Sequence, residues 1–210
     1  MNIFFISAFS IGIPMLLSLF MKRSDRKVYA WFIAFIYISA LLELIGMILS
    51  LNKIPNNFLS HIDTLNEVLV LGYFYYTIFT VKIIKRIALG LMVLLILFIF
   101  FNAFFLQGID HFNSYSRTTG SIFFLFLSLT YFALLFKNTP VKYLEREPIF
   151  WFNTGTLFYF AGTIFLFLIY QNVNFALPVK LDRQIYFVDS FFNILQNVLF
   201  GIGFICNRRT

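Results

Sequence analysis

Three groups of polar side chains interrupt otherwise apolar stretches of this chain, and their types and spacing could do chemistry. Glu43 stands alone within LLELIG. His61, Asp63, Asn66 and Glu67 follow one another closely, and Tyr73, Thr77 and Thr80 continue the helical stripe of Asp63 and Asn66, with Glu67 beside it. Asp189, Asn193, Gln196 and Asn197 stand at i, i+4, i+7 and i+8, which is one face of a helix. Thr156, Tyr159, Thr163 and Tyr170 form a further stripe beside Gly155 and Gly162, and Ser39, Glu43 and Met47 share a face with Gly46 next to them. Two carboxyl groups brought together can do general acid–base work without a motif. The same carboxyl, amide and phenol groups can hydrogen-bond a ligand, or simply tie helices to one another.

Familiar signatures are missing. No lysine lies in the middle of an apolar stretch, which removes a retinal Schiff base. There is no phosphate-binding glycine loop, no HExxH pair and no nucleophile elbow. A zinc site from His61, Asp63 and His111 matches no standard spacing. Cys206 is the single cysteine, so no intrachain disulfide forms. Paired halves and Gly/Pro-broken helices, the marks of many transporters, are not seen, nor is the repeated pore-lining polarity of a channel. No cofactor, no metal ligand and no catalytic residue is assigned. The expected ligand-binding residues are Glu43, Asn66, Glu67, Tyr73, Tyr159, Asp189, Asn193 and Asn197. His61 and His111 read as loop or rim residues.

The elements that carry these groups follow from composition. Of 210 residues, 60% are hydrophobic and only 12% charged, about half the charge of an ordinary soluble domain. Only a bilayer can accept so much apolar surface. Seven apolar stretches approach the roughly 20 residues needed to cross a hydrocarbon core of about 30 Å: 3–21, 28–51, 59–81, 87–106, 120–136, 149–170 and 185–206. Lipid offers no hydrogen bonds, so each is expected as a helix. The expected fold is therefore all-α, a polytopic bundle of seven transmembrane helices in one domain. Pro14 should kink the first helix, and the third stretch begins with polar residues, as if in a wet outer vestibule.

Orientation follows from the basic residues. Lys22, Arg23, Arg26, Lys27, Lys82, Lys85, Arg86, Lys137, Lys142, Arg146, Arg208 and Arg209 fall on one side, and only Lys53, Arg117, Lys180 and Arg183 on the other. The richer side is cytoplasmic, which puts the C-terminus inside and the N-terminus outside. The net charge of +7 thus reflects short loops beside a lipid bilayer and not a nucleic-acid partner. The first stretch lacks a basic n-region and reads as an uncleaved span. The expected location is a bacterial cytoplasmic membrane.

Depth then links the polar groups. The second stretch runs outward, so Glu43 lies in the outer half; the third and seventh run inward, so Glu67 and Asp189 lie near their outer ends. The expectation is one outer-half pocket between the second, third, sixth and seventh helices, with Glu43 its deepest carboxyl.

Three segments, LLELIG, FWFNTGTLFYFAGTIFLFL and SFFNILQNVLFGIGFIC, together resemble the seven-helix membrane module of Bacteroidetes-type proteins that often precedes a sensor histidine kinase and also occurs alone. The resemblance implies a sensory or signal-coupling role, with Glu43, Asn193 and Asn197 at matching polar positions. The chain closes on Arg208-Arg209-Thr210, so a kinase is expected as a separate cytoplasmic signalling partner. The functional expectation is a receptor-like protein that takes a small ligand or lipid in the outer pocket. The alternatives are a small lipid-modifying enzyme using the carboxylates and a non-catalytic subunit of a membrane complex.

Overall fold

The computed structural model describes residues 2–21, 23–138, 144–172 and 179–206, and among them every regular element is helical. Lys22, Lys142, Arg208 and Arg209, counted above as inner-face charges, lie outside the described residues, as do the side chains of Arg23, Tyr170, Lys180 and Arg183. The helices are α1 (Asn2–Ser10), α2 (Gly12–Leu19), α3 (Arg23–Val28), α4 (Ala30–Leu51), α5 (Asn57–Asn66), α6 (Gly72–Ile78), α7 (Lys82–Phe101), α8 (Ser114–Asn138), α9 (Pro148–Asn172) and α10 (Val179–Cys206). Wider π turns at Glu67–Leu71 and Asn102–Leu106 join α5 to α6 and extend α7.

Five helical segments are long and apolar enough to cross a membrane: Ala30–Leu51, Lys82–Leu106, Ser114–Lys137, Pro148–Ile169 and Gln184–Cys206. The first apolar stretch is shorter, and its helix breaks at Ile11. Pro14 explains the break. It has no N–H to offer the Ser10 carbonyl, and its ring crowds that carbonyl; the bond pattern resumes only at Met15, whose N–H reaches the Ile11 carbonyl at 3.2 Å. The third stretch is the polar one, and its π turn begins at the buried Glu67. Two boundaries differ from the sequence reading in ways that matter. Helix α8 starts at Ser114, inside the expected loop, and α10 starts at Val179. Asp189 is therefore ten residues into a helix, about 15 Å from its start, and not near the end.

The helices form a closed ring in chain order. The α1–α2 pair packs on α10 and on α4; α4 packs on α5 and the π turn after it; α6 packs on α7, α7 on α8, α8 on α9 and α9 on α10. Facing residues give the chain directions. Ser39 and Phe32 of α4 lie opposite Asn66 and Phe74, so α4 and α5–α6 are antiparallel. Asp63 and Tyr75 meet Arg117 and Ser128, so α5–α6 and α8 are parallel. Ser7 and Ser10 meet Asn193 and Asn197, so α1 and α10 are parallel as well.

Phenylalanine fills the centre. Phe32 stacks on Phe152 at 4.0 Å and meets Phe200 edge-on at 4.8 Å, joining α4, α9 and α10. Glycines let α9 and α10 close on one another: a Cβ on Gly162 would lie 2.3 Å from the Phe192 ring, and one on Gly155 2.8 Å from Phe200. A buried polar knot lies among α6, α8 and α9. Tyr75 donates to Asn153 Oδ1 at 2.7 Å and lies 2.9 Å from Ser128 Oγ, while Asn153 Nδ2 donates to the Ser128 carbonyl at 3.2 Å.

Candidate functional site

The polar groups at the end of the bundle that carries the 107–113 loop converge on a residue that sequence reasoning had left in a loop. Asn113 and Ser114 open α8, and the Arg117 N–H bonds the Asn113 carbonyl at 3.0 Å. Arg117 thus sits one turn into a helix, where its side chain points into the bundle with only 11% exposure. Asp63 and Glu67, four residues apart on one helical face, stand opposite. Arg117 Nη2 donates to Asp63 Oδ2 at 2.5 Å, and Nη1 lies 4.0 Å from Glu67 Oε1 and donates to the Tyr159 hydroxyl at 3.4 Å. The rings of Phe112 and Phe167 flank the guanidinium at 6.0 and 5.4 Å, within the distance at which aromatic faces attract a cation. Asp189 of α10 lies within electrostatic range of Arg117 and Tyr159. Helices α5, α8, α9 and α10 each contribute a polar group.

A collar of hydrogen bonds fixes this geometry. Asn113 Nδ2 donates to the Ser60 carbonyl and to Thr64 Oγ1 at 3.0 and 2.9 Å, Asn57 Nδ2 to the Asp110 carbonyl at 2.8 Å, and His61 Nε2 lies 3.1 Å from the His111 carbonyl. Asn102, at the start of the second π turn, donates to Ser116 Oγ at 2.9 Å and to Gln107 Oε1 at 3.0 Å. These bonds clamp the 107–113 loop and the first turn of α8 onto α5, so Arg117 is held facing Asp63.

The cluster is rich in carboxyls and incompletely satisfied. Three carboxyl groups surround one guanidinium. Arg117 Nε and Asp189 Oδ1 are sealed from solvent and have no hydrogen-bond partner among the described residues. A buried charge keeps its place only when paired and hydrogen-bonded, so the site has spare capacity for both a donor and an acceptor. No family model, curated protein or solved structure matches this chain.

The expected site residues fall at five places. Glu67, Tyr159 and Asp189 belong to the Arg117 cluster. Asn66 lies on the same helix but turns to α4, donating to Ser39 Oγ at 2.9 Å. Asn193 and Asn197 turn to α1, donating to Ser7 Oγ at 2.9 Å and Ser10 Oγ at 2.8 Å; they join helices at that seam. Tyr73 packs edge-on against Trp31 at 4.5 Å, near the start of α4 and away from the cluster. Glu43 lines a groove between α1–α2 and α4 and lies within electrostatic range of Asp63, Asp189 and Arg117. To the groups expected from the second, third, sixth and seventh helices the fifth helix adds a cation, Arg117. Among the described residues no group of three His, Cys, Asp or Glu could hold a metal. The residue that sequence reasoning missed is Arg117. The signal was Asn113-Ser114 just ahead of the apolar run, a helix-start pair that would have drawn Arg117 onto the helix.

Proposed function

We propose that this chain is a receptor-like membrane protein whose outer site, centred on Arg117 and Asp189, takes a small polar ligand and passes the change to a cytoplasmic signalling partner. One observation carries the reading: Arg117 Nε and Asp189 Oδ1, sealed and without a hydrogen-bond partner among the described residues, inside a carboxyl-rich cluster. Intramembrane charges of this kind are expensive and default to a functional role. A ligand that supplies a donor to Asp189 and an acceptor to Arg117 would draw α8 and α10 together. The switch requires two packings that the ligand binds unequally.

The same proposal includes seven spans with the N-terminus outside. Support comes from the parallel course of α1 and α10, the parallel course of α5–α6 and α8, and the strong bias of basic residues to one side. The resemblance to the seven-helix module of kinase-linked proteins points the same way, as does a bacterial cytoplasmic membrane for its location.

The experiment is covalent crosslinking in native membranes, followed by identification of captured proteins and small molecules. A kinase or regulator crosslinked to the inner loops around Lys82 or Arg146 is the expected result. A second reading, a lipid-modifying enzyme, draws on the same convergence of three carboxyls with the Tyr159 phenol. Turnover of a captured lipid that Asp189→Asn abolishes, with no protein captured, would replace the receptor by that enzyme.

A further inference from the structure

Donors and acceptors do not balance around Arg117. The guanidinium gives Nη2 to Asp63 and Nη1 to the Tyr159 hydroxyl. Glu67 Oε1 lies 4.0 Å from Nη1, an ion pair too long for a hydrogen bond. The Glu67 side chain is 8% exposed and makes no hydrogen bond among the described residues. Asp189 makes none among them either, and its Oδ1 is sealed. Two carboxyls therefore lack a donor, while the Arg117 Nε–H lacks an acceptor. The backbone marks the same place. Glu67 opens the π turn Glu67–Leu71 between two α-helical runs, and π turns are rare and frequent at functional sites.

Charge selects the occupant. Asp63, Glu67 and Asp189 act on Arg117 and on one another, and Glu43 lies in the same field. One guanidinium cannot neutralise them all. Buried charges persist when paired and hydrogen-bonded, so the missing component is a cation that carries N–H groups. A metal ion would need ligands gathered at one point, and among the described residues no three His, Cys, Asp or Glu side chains are so gathered. An ammonium group instead sends separate N–H donors to separate carboxyls. The Phe112 and Phe167 rings already flank the guanidinium, and aromatic faces suit an organic cation as well. The Nε–H sets the other half of the ligand. A carboxylate there would restore the negative excess, so the acceptor is a neutral oxygen.

We propose that the occupant of the Arg117 cluster is a small primary amine in its ammonium form with a neutral oxygen close by. Its N–H groups donate to Asp189 and Glu67, and its oxygen accepts from Arg117 Nε. This rests on the reading of the cluster as a ligand site and names the class of ligand.

The test uses the full chain in phosphatidylcholine nanodiscs at neutral pH and constant ionic strength, read by thermal unfolding. Ethanolammonium chloride should raise the unfolding temperature by about 3–6 °C once it exceeds its half-saturating concentration about tenfold. Sodium chloride, tetramethylammonium chloride (which has no N–H), sodium acetate and ethylene glycol should not. Glycine, which adds a carboxylate, should be needed at higher concentration. Asp189→Asn and Glu67→Gln should each raise the half-saturating concentration of ethanolammonium about tenfold, the ratio expected of one hydrogen bond to a charged group. Without ligand, Asp189→Asn should unfold no lower than the wild type, because it removes a charge that has no donor. Equal stabilisation by sodium or tetramethylammonium would overturn the N–H donor, and better stabilisation by glycine would overturn the neutral oxygen. Stabilisation by acetate or ethylene glycol alone would overturn the amine and leave a ligand site. No response to any of them would overturn the amine; if Asp189→Asn were then also less stable than the wild type, the carboxyls would be structural and the ligand site would fall with it.

Discussion

Arg117 reaches Asp63 at 2.5 Å across 54 positions of sequence, and its other terminal nitrogen lies 4.0 Å from Glu67, one helical turn along. Two helices that are distant in the chain are therefore clasped by one guanidinium at one end of the bundle. Removing one partner of a buried pair leaves the other uncompensated, which typically costs about 3–5 kcal/mol. Arg117→Met should lower stability by that order in detergent unfolding experiments. Arg117→Met with Glu67→Gln should recover part of the loss, since the stranded carboxyl is gone. A single variant that loses under about 1 kcal/mol would mean that the clasp is solvated.

Gly162 and Phe192 make the tightest approach between α9 and α10, with 2.3 Å from a built Cβ to the ring. Gly162→Ala should destabilise by about 1–3 kcal/mol, the usual range for overpacking. Adding Phe192→Leu should restore most of it. Gly12→Ala, where a Cβ meets nothing, serves as the control and should leave the unfolding temperature within error.

Tyr75 hydrogen-bonds Asn153 and Ser128 at positions fully sealed from solvent. Tyr75→Phe removes the hydroxyl and strands Asn153 Oδ1. The expected loss is about 1–3 kcal/mol, read by thermal unfolding. Because the knot joins α6, α8 and α9, hydrogen exchange should rise in all three helices and not in α6 alone.

Crossing by the third stretch can be decided by labelling from one side. Cys206 is the single cysteine, so Cys206→Ser gives a clean background. Ile54→Cys and Lys82→Cys, both at exposed positions, bracket α5–α6. An impermeant maleimide applied outside intact cells should modify the first at once and the second only after permeabilisation. Modification of both from the same side would mean that 57–78 does not cross, and the seven-span arrangement would fail.

Hydropathy alone made this chain a helical membrane protein, because long uncharged runs such as Leu91–Phe105 leave the backbone no partner but itself. Proline chemistry located the disturbance in the first helix to within a few residues. Period-3.6 reasoning placed Asp63 and Asn66 on one stripe with Glu67 beside it, and Asp189 with Asn197 on another. What a helical stripe meets is a different matter. Asp189 and Asn193 are one turn apart, yet the first lies in the field of Arg117 and the second binds Ser7, since a stripe spans enough arc to touch two neighbours. Arg117 looked like a loop charge because composition weighs a residue by its flanks, while its role depends on where α8 begins and which way that turn faces. Glu43 lies in the field of Asp63, Asp189 and Arg117, but that it also lines a groove on the α1–α2 side of α4 was set by how the ring closes around Phe32 and Phe152. Sequence determines which segments are helices, through local periodicity and transfer energy, but not where α8 and α10 begin, and so not how far along its helix Arg117 or Asp189 lies. The angular order of helices and the partners of each polar group come only from tertiary packing.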